Sequence, residues 1–208
     1  MIAIIDYDAG NTKSVKNALD YLKIKNILSK DPQILLKADG LILPGVGAFK
    51  KAMDILYQRN LISVLKRAAY VKKPILGICL GMQLFFEESF EFGKNKGLGL
   101  IPGRVLAIPE KRGIKIPHMG WDFNHVCKRA SLSEVFLNQA TYFAHSYYVQ
   151  TVPNYILSTV DYGLKIPSIV QKENVFGMQF HPEKSGEVGL KGLLRFKEVA
   201  KHESYTRS

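Results

Sequence analysis

Lys73-Pro74-Ile75-Leu76-Gly77-Ile78-Cys79-Leu80-Gly81-Met82-Gln83 decides the reading of this chain. A proline opens an apolar, strand-like run that ends in Gly77-Ile78-Cys79-Leu80-Gly81, and a helical pattern follows through Gln83, Leu84, Phe85 and Glu88. Strand, tight turn and helix with a nucleophile framed by two glycines is the layout of a nucleophile elbow, here with cysteine in the place of serine. The turn is sharp, so a side chain at either glycine collides with the neighbouring element. Cys79 then sits at the mouth of a helix, where the dipole and free N–H groups favour a thiolate. The competing reading makes Cys79 a small buried hydrophobe, the usual fate of cysteine in an apolar run.

Working outward from the elbow, strands and helices alternate. Ile2-Ala3-Ile4-Ile5 reads as a buried strand, and Val15, Ala18, Leu19 and Leu22 recur at helical spacing after an Asn11 or Thr12 cap. Ile27-Leu28 begins a second strand, and Asp31-Pro32 starts a short helix through Leu35. Asp39-Gly40-Leu41-Ile42-Leu43 is a third strand, stopped by Pro44-Gly45-Val46-Gly47. Helical patterns occupy 48–57 and 61–70. This alternation predicts βαβ units and a parallel, doubly wound sheet. Beyond Gly93 short β-rich pieces at 103–108, 113–117, 141–149, 156–161, 166–171 and 175–180 predict an antiparallel extension of that sheet, and Ser185–Lys201 a closing helix. No repeat or linker interrupts the chain, so 1–208 is read as one domain. Ligands of open α/β sheets gather beyond the carboxyl ends of the strands, which predicts that the loops Asp6–Thr12, Pro44–Gly47 and Gly77–Gly81 lie together.

Composition narrows the function classes. At 208 residues, 47% hydrophobic and 23% charged, the chain is an ordinary globular protein long enough to bury a substantial core. Two cysteines, Cys79 and Cys127, make no disulfide framework, and no Cys/His cluster suggests a metal. The N-terminus lacks the basic start and length of a signal peptide, and no stretch approaches a membrane span; the cytoplasm is the expected location. Lys+Arg 29 against Asp+Glu 18 gives +11, but the basic residues are scattered and no nucleic-acid-binding signature is present. A generally basic, solvated surface is the better reading, with no nucleic-acid partner.

A nucleophilic cysteine needs a base and a group to orient it. Of His118, His125, His145, His181 and His202, His181 ends the apolar strand Val175-Phe176-Gly177-Met178-Gln179-Phe180 and is followed by Pro182 and Glu183. The proline stiffens a turn that holds the Glu183 carboxylate against the imidazole.

Gly77-Ile78-Cys79-Leu80-Gly81-Met82-Gln83 together with Phe180-His181-Pro182-Glu183 resembles the signature of the class I, triad-type glutamine amidotransferases. Leu43-Pro44-Gly45-Val46-Gly47-Ala48-Phe49, Gly97-Leu98-Gly99-Leu100-Ile101-Pro102-Gly103, Pro117-His118-Met119-Gly120-Trp121 and Tyr142-Phe143-Ala144-His145-Ser146-Tyr147-Tyr148 narrow it, resembling the branch of glutaminase subunits that serve imidazole glycerol phosphate synthases. The match runs from Met1 to about Leu194. The resemblance implies a three-layer, flavodoxin-like sheet and no cofactor. It implies that Cys79 attacks the amide of L-glutamine, that His181 moves protons and that Glu183 orients it. Backbone N–H groups near Val46-Gly47 and at Leu80 form an oxyanion hole, and Gly47, Gln83, Glu91, Ser146 and Tyr147 hold the glutamine. Gln83 reads equally as a solvated helix residue, and Glu91 lies where pattern becomes loop.

The resemblance further implies a partner, because ammonia must reach its acceptor without meeting bulk water. The family docks on a (β/α)₈ barrel cyclase that makes imidazole glycerol phosphate and AICAR in histidine biosynthesis, with Asn11, Trp121, Tyr142 and Lys184 at or near the contact. Trp121 reads equally as core. Where the common pattern after Asp6-Tyr7 is Gly-Met-Gly-Asn-Leu, this chain has Asp8-Ala9-Gly10-Asn11-Thr12, placing an added charge beside that contact. A paralogous subunit supplying ammonia for surface-sugar modification is the alternative, and a binding module that kept the fold without the activity is a further one. Cys127 is read as structural.

Overall fold

The structure, a computed structural model, describes residues 1–8 and 10–205. In chain order the elements are β1 (Ile2–Ile5), α1 (Thr12–Tyr21), β2 (Asn26–Ser29), α2 (Pro32–Lys37), β3 (Gly40–Gly45), α3 (Phe49–Gln58), α4 (Leu61–Tyr70), β4 (Ile75–Cys79) and α5 (Leu80–Gln83). The second half carries β5 (Glu88–Ser89), β6 (Asn95–Lys96), β7 (Arg104–Ala107), β8 (His118–Phe123), β9 (His125–Val126), β10 (Ala140–His145) and β11 (Tyr147–Gln150). It ends with β12 (Ile156–Asp161), β13 (Lys165–Lys172), β14 (Val175–Met178) and α6 (Gly186–Tyr205). Among the described residues no helix is long and apolar enough to cross a membrane.

Strands β1, β3 and β4 are buried at every position, as continuous apolar runs require when a sheet is covered on both faces. Successive side chains point to opposite faces. Ala3, Ile5, Leu41, Leu43 and Ile75 therefore join one core with Phe49, Leu56, Leu65 and Phe85 from the helices α3, α4 and the chain after α5. Ile2, Ile4, Ile42, Leu76 and Ile78 join a second core with Val15 and Leu19 of α1 and Leu193 and Phe196 of α6. Helix, sheet, helix is the three-layer arrangement. Each fully buried Leu, Ile or Phe contributes about 1.5–3 kcal/mol.

The main sheet has eight strands in the order β2-β1-β3-β4-β14-β13-β12-β9. From β2 to β14 neighbours are parallel, and from β14 through β13, β12 and β9 they are antiparallel. Parallel pairing of β14 with β4 brings the carboxyl end that leads to His181 to the same edge as Cys79.

Several expectations are corrected. The pieces around 103–108 and 141–149 do not extend the main sheet. They form two small sheets, β11-β7-β5-β6 and β10-β8, with a break between β10 and β11 at Ser146. Residues 113–117 form no strand: Pro117 has no N–H to place in a ladder, and β8 begins at His118. Strand β3 runs on through Pro44 and Gly45, since β1 pairs only as far as Ile42 and asks no donor of the proline, whereas β4 pairs through Gly45. The elbow helix ends at Gln83 instead of reaching Glu88. Phe85 and Phe86 take tighter bonds, to the Met82 and Gln83 carbonyls, and both rings are buried.

Candidate active site

The elbow is built by backbone contact. Cys79 has φ 54° and ψ −113°, a conformation that L-residues adopt only under constraint. The constraint is visible at the glycines. A Cβ on Gly81 would lie 1.8 Å from the Leu43 carbonyl oxygen, and one on Gly77 would lie 2.5 Å from the Phe85 ring and 2.6 Å from the Gly81 backbone. Only bare backbone lets β3 and α5 close on each other and force the turn that lifts the thiol.

His181 follows β14. Its main-chain N–H donates to the Tyr142 carbonyl at 2.9 Å, tying it to β10. Its Nδ1 lies 2.9 Å from Glu183 Oε1, leaving Nε2 as the ring nitrogen free for proton exchange. Burial alone lowers this imidazole; hydrogen bonds with Cys79 and Glu183, and the charges of both, outweigh burial and raise it to about 10. A cationic imidazole at a sulfur is the setting in which thiols ionise and attack. Both side chains of the His181–Glu183 pair are buried. Asn11 Nδ2 approaches the same Glu183 Oε1 at 3.4 Å, while Glu183 Oε2 is buried without a protein partner.

Beside the thiol opens a cavity of about 430 Å³. Cys79 lines it together with Val46, Gly47, Leu80, Gln83, Glu91, Ser146 and Tyr147. Gly47 has φ 88°, a left-handed turn that suits glycine. Gln83 is buried, not solvated: its Nε2 donates to the Tyr147 carbonyl at 2.9 Å and to Gln179 Oε1 at 3.0 Å. Glu91 accepts a short hydrogen bond from the main-chain N–H of Phe49, capping α3, whose Ala48 offers no side-chain cap.

Sequence reasoning left several neighbours unassigned. Phe92, Pro117, Met119, Ala144 and His145 also line the cavity. Gln179 Nε2 lies 3.8 Å from Cys79 Sγ, and Sγ lies 3.8 Å from the Ala144 carbonyl. Tyr7 donates its hydroxyl to the Pro44 carbonyl at 2.8 Å, and burial, with the cysteine's charge, pushes its pKa up. Gln179 carried a signal: an amide inside an apolar strand must find a buried partner. Tyr7 and His145 carried none beyond their motifs.

Of the four remaining candidates, Trp121, Tyr142 and Lys184 lie together, and Asn11 approaches Glu183. Tyr142 and Trp121 are directly opposed across β10 and β8, their rings 6.2 Å apart, and Lys184 Nζ lies 5.9 Å from the Tyr142 ring centre. Trp121 is 58% exposed, which removes it from the core, and Met119 and Phe123 flank it outward on the same strand. Asp8, in the left-handed region at φ 59°, pairs with Arg59, so its added charge is answered within the chain. Ala9 lies outside the described residues. Cys127 is exposed, on the outer edge of the main sheet, and its Sγ lies 3.5 Å from the His125 carbonyl.

A family model for glutamine amidotransferase class-I matches residues 3–199. Among relatives, the imidazole glycerol phosphate synthase subunit HisH of Lacticaseibacillus casei (strain BL23) is 56% identical over 207 residues, 100% of both chains. HisH of Lactiplantibacillus plantarum is 53% identical over 199 residues, 96% of each. A solved structure of a glutamine amidotransferase superposes with a TM-score of 0.77 at 17% identity, covering 97% of this chain and 100% of the other. The structure of PurLQS from Thermotoga maritima gives a TM-score of 0.72 at 19% identity, covering 95% of this chain and 97% of the other. At such identities the structures speak for the fold, and the sequence matches speak for the family. The chain belongs to the class-I glutamine amidotransferases, and within them to the HisH branch.

Proposed function

We propose that this chain hydrolyses L-glutamine to glutamate and ammonia as the glutaminase subunit of an imidazole glycerol phosphate synthase in histidine biosynthesis. One observation carries the reading: Cys79, lifted on a left-handed elbow turn, lines a cavity at the sheet edge to which β14, paired with β4, brings the buried His181–Glu183 pair, bonded at 2.9 Å. In this mechanism Cys79 Sγ attacks the side-chain amide carbon. His181 Nε2 gives its proton to the departing ammonia, leaving a thioester. Nε2 then takes a proton from water, which attacks the thioester and releases glutamate and the thiol. Glu183 Oε1 fixes the tautomer through Nδ1 and stabilises the cation. Backbone N–H groups near Val46-Gly47 and at Leu80 receive the oxyanion, and Gln83, Glu91, Ser146 and Tyr147 hold the amino-acid end.

The partner in this reading is a (β/α)₈ cyclase that receives ammonia and forms imidazole glycerol phosphate and AICAR. An outward apolar row, Met119, Trp121 and Phe123, next to Tyr142 and Lys184 supports such a contact. The paralogue reading rests on Asp8, whose charge is paired with Arg59 of the same chain. The chain, 1–208, acts in this reading as one domain. The test is co-purification with a histidine-pathway cyclase and measurement of glutamine-dependent cyclisation. A complex that cyclises with glutamine is expected; no complex and no glutamine-dependent product overturns the assignment.

A further inference from the structure

Two histidines stand outside the triad chemistry. His118 and His145 face each other directly across β8 and β10, and both are buried. His118 Nδ1 lies 3.1 Å from His145 Nε2, and His145 Nδ1 lies 2.8 Å from the Tyr147 carbonyl. The His118 ring is sandwiched between Phe143, at 4.7 Å, and Tyr162, at 3.8 Å, both nearly parallel to it. This stacking fixes the plane of the ring and therefore the direction of its nitrogens.

The tautomers follow from counting donors. Burial lowers both rings below the ordinary histidine range, His145 to about 3, so each carries one proton at neutral pH. A carbonyl can only accept, so His145 Nδ1 holds the proton and donates to Tyr147. Nε2 of His145 is then an acceptor, and His118 Nδ1 donates to it at 3.1 Å; the longer approach of His118 Nε2 to Asp122 Oδ2, 3.5 Å, is not a hydrogen bond in this tautomer. The hydrogen bonds run one way, from β8 into the cavity wall. The Tyr147 carbonyl also accepts from Gln83 at 2.9 Å, and Ser146 is the residue at which β10 breaks from β11. The Tyr147 carbonyl is thus held by two side chains, while beside it the β11–β7 ladder and the Ile108 N–H, which donates to the Ser146 carbonyl at 2.9 Å, hold the backbone.

We infer that His118 and His145 form a positioning pair: a one-way hydrogen-bond relay that holds the Ser146–Tyr147 wall of the cavity in the shape that receives the substrate. The inference rests on the glutaminase reading, because it assigns that wall to glutamine. Neither histidine transfers a proton to the substrate; the pair acts through the Tyr147 carbonyl.

The test compares two alkylators of Cys79 on the chain in complex with its cyclase. One is a glutamine-analogue diazoketone, which must occupy the cavity, and the other is iodoacetamide, which needs only the thiol. His145→Leu is expected to raise the diazoketone concentration for half-maximal labelling by about tenfold, the scale of one lost buried hydrogen bond, and to leave iodoacetamide labelling within about twofold. His118→Leu should do the same more weakly, by about threefold, since it removes the donor that sets the His145 tautomer. The amide nitrogen of Asn stands where imidazole Nδ1 does, so His145→Asn and His118→Asn should stay within about twofold of the unsubstituted chain. Leu and Asn variants that label alike, or equal losses with both reagents, overturn the positioning role. If the Leu variants do not fold, the Asn variants still decide, because weakened diazoketone labelling in both contradicts the relay. Failure of the unsubstituted complex to react with the diazoketone while iodoacetamide labels Cys79 would instead overturn the glutaminase reading itself.

Discussion

Strands β1, β3 and β4 are buried at every position, and β3 and β4 meet the elbow backbone to backbone, whereas β10 buries only alternate residues, β8 buries only His118, and the β8–β10 ladder carries side-chain bonds and stacked rings. The nucleophile belongs to the first kind of structure. His181 is anchored to the second, through the Tyr142 carbonyl, although its own strand β14 lies in the main sheet. The difference teaches where each part of the site is vulnerable. The cysteine depends on the absence of side chains at Gly77 and Gly81, and its geometry is all or nothing. The wall and the outer face depend on individual polar and aromatic groups, which can be removed one at a time.

The largest effect should come from breaking the first kind. Gly81→Ala places a methyl 1.8 Å from the Leu43 carbonyl, and either β3 or the elbow must move. A loss of about 3 kcal/mol or more is expected in urea denaturation, with glutamine hydrolysis lost as well. A variant within about 1 kcal/mol of the parent would mean that the turn is not held by this contact. On the other side of the comparison, Trp121→Ala removes a ring that is 58% exposed. Stability should change by less than about 0.5 kcal/mol, while cyclase affinity, read by titration calorimetry, should fall by about 2 kcal/mol, or roughly thirtyfold. A destabilised chain with undiminished affinity would return Trp121 to the core.

How far these features were legible in the sequence follows the same division. Helices α3 and α4 lie within a residue of the periods read at 48–57 and 61–70, because a 3.6-residue apolar stripe against a sheet leaves a strong trace. The elbow, with its two glycines, was legible for the reason now seen in the contacts with Leu43 and Phe85. The second half was read as one antiparallel extension, and it divides instead among three sheets. Strands of two to six residues with one exposed face carry a period too short to say which neighbour they pair with. Motifs brought Ser146 and Tyr147 to notice, but the His118–His145 contact depends on the register of β8 with β10, and no local pattern encodes a register.

The effects that depend on conditions are titrations, and they run in opposite directions. His145 is pushed down to about 3 from 6.5, so its contribution to stability is complete above pH 6.5 and is lost as pH falls from there toward 3. His181 is raised from 6.5 to about 10, so its contribution is complete below pH 6.5 and is lost as pH rises toward 10. Thermal unfolding followed across pH should therefore show His145→Asn flattening the acid limb and Cys79→Ala, which removes a partner of His181, flattening the alkaline limb. Each site moves at most one proton, about 1.4 kcal/mol per pH unit. Acid and alkaline limbs unchanged in both variants would contradict the assignment of these two histidines.

Cys79→Ala in the complex with the cyclase tests the central claim most directly, with glutamate release and ammonia-supported cyclisation measured side by side. Glutamate release should fall by about 10⁴-fold or more, the scale of losing a covalent nucleophile, while cyclisation fed by added ammonia continues at the parental rate. Glutamate released at the parental rate from the alanine variant would contradict the account.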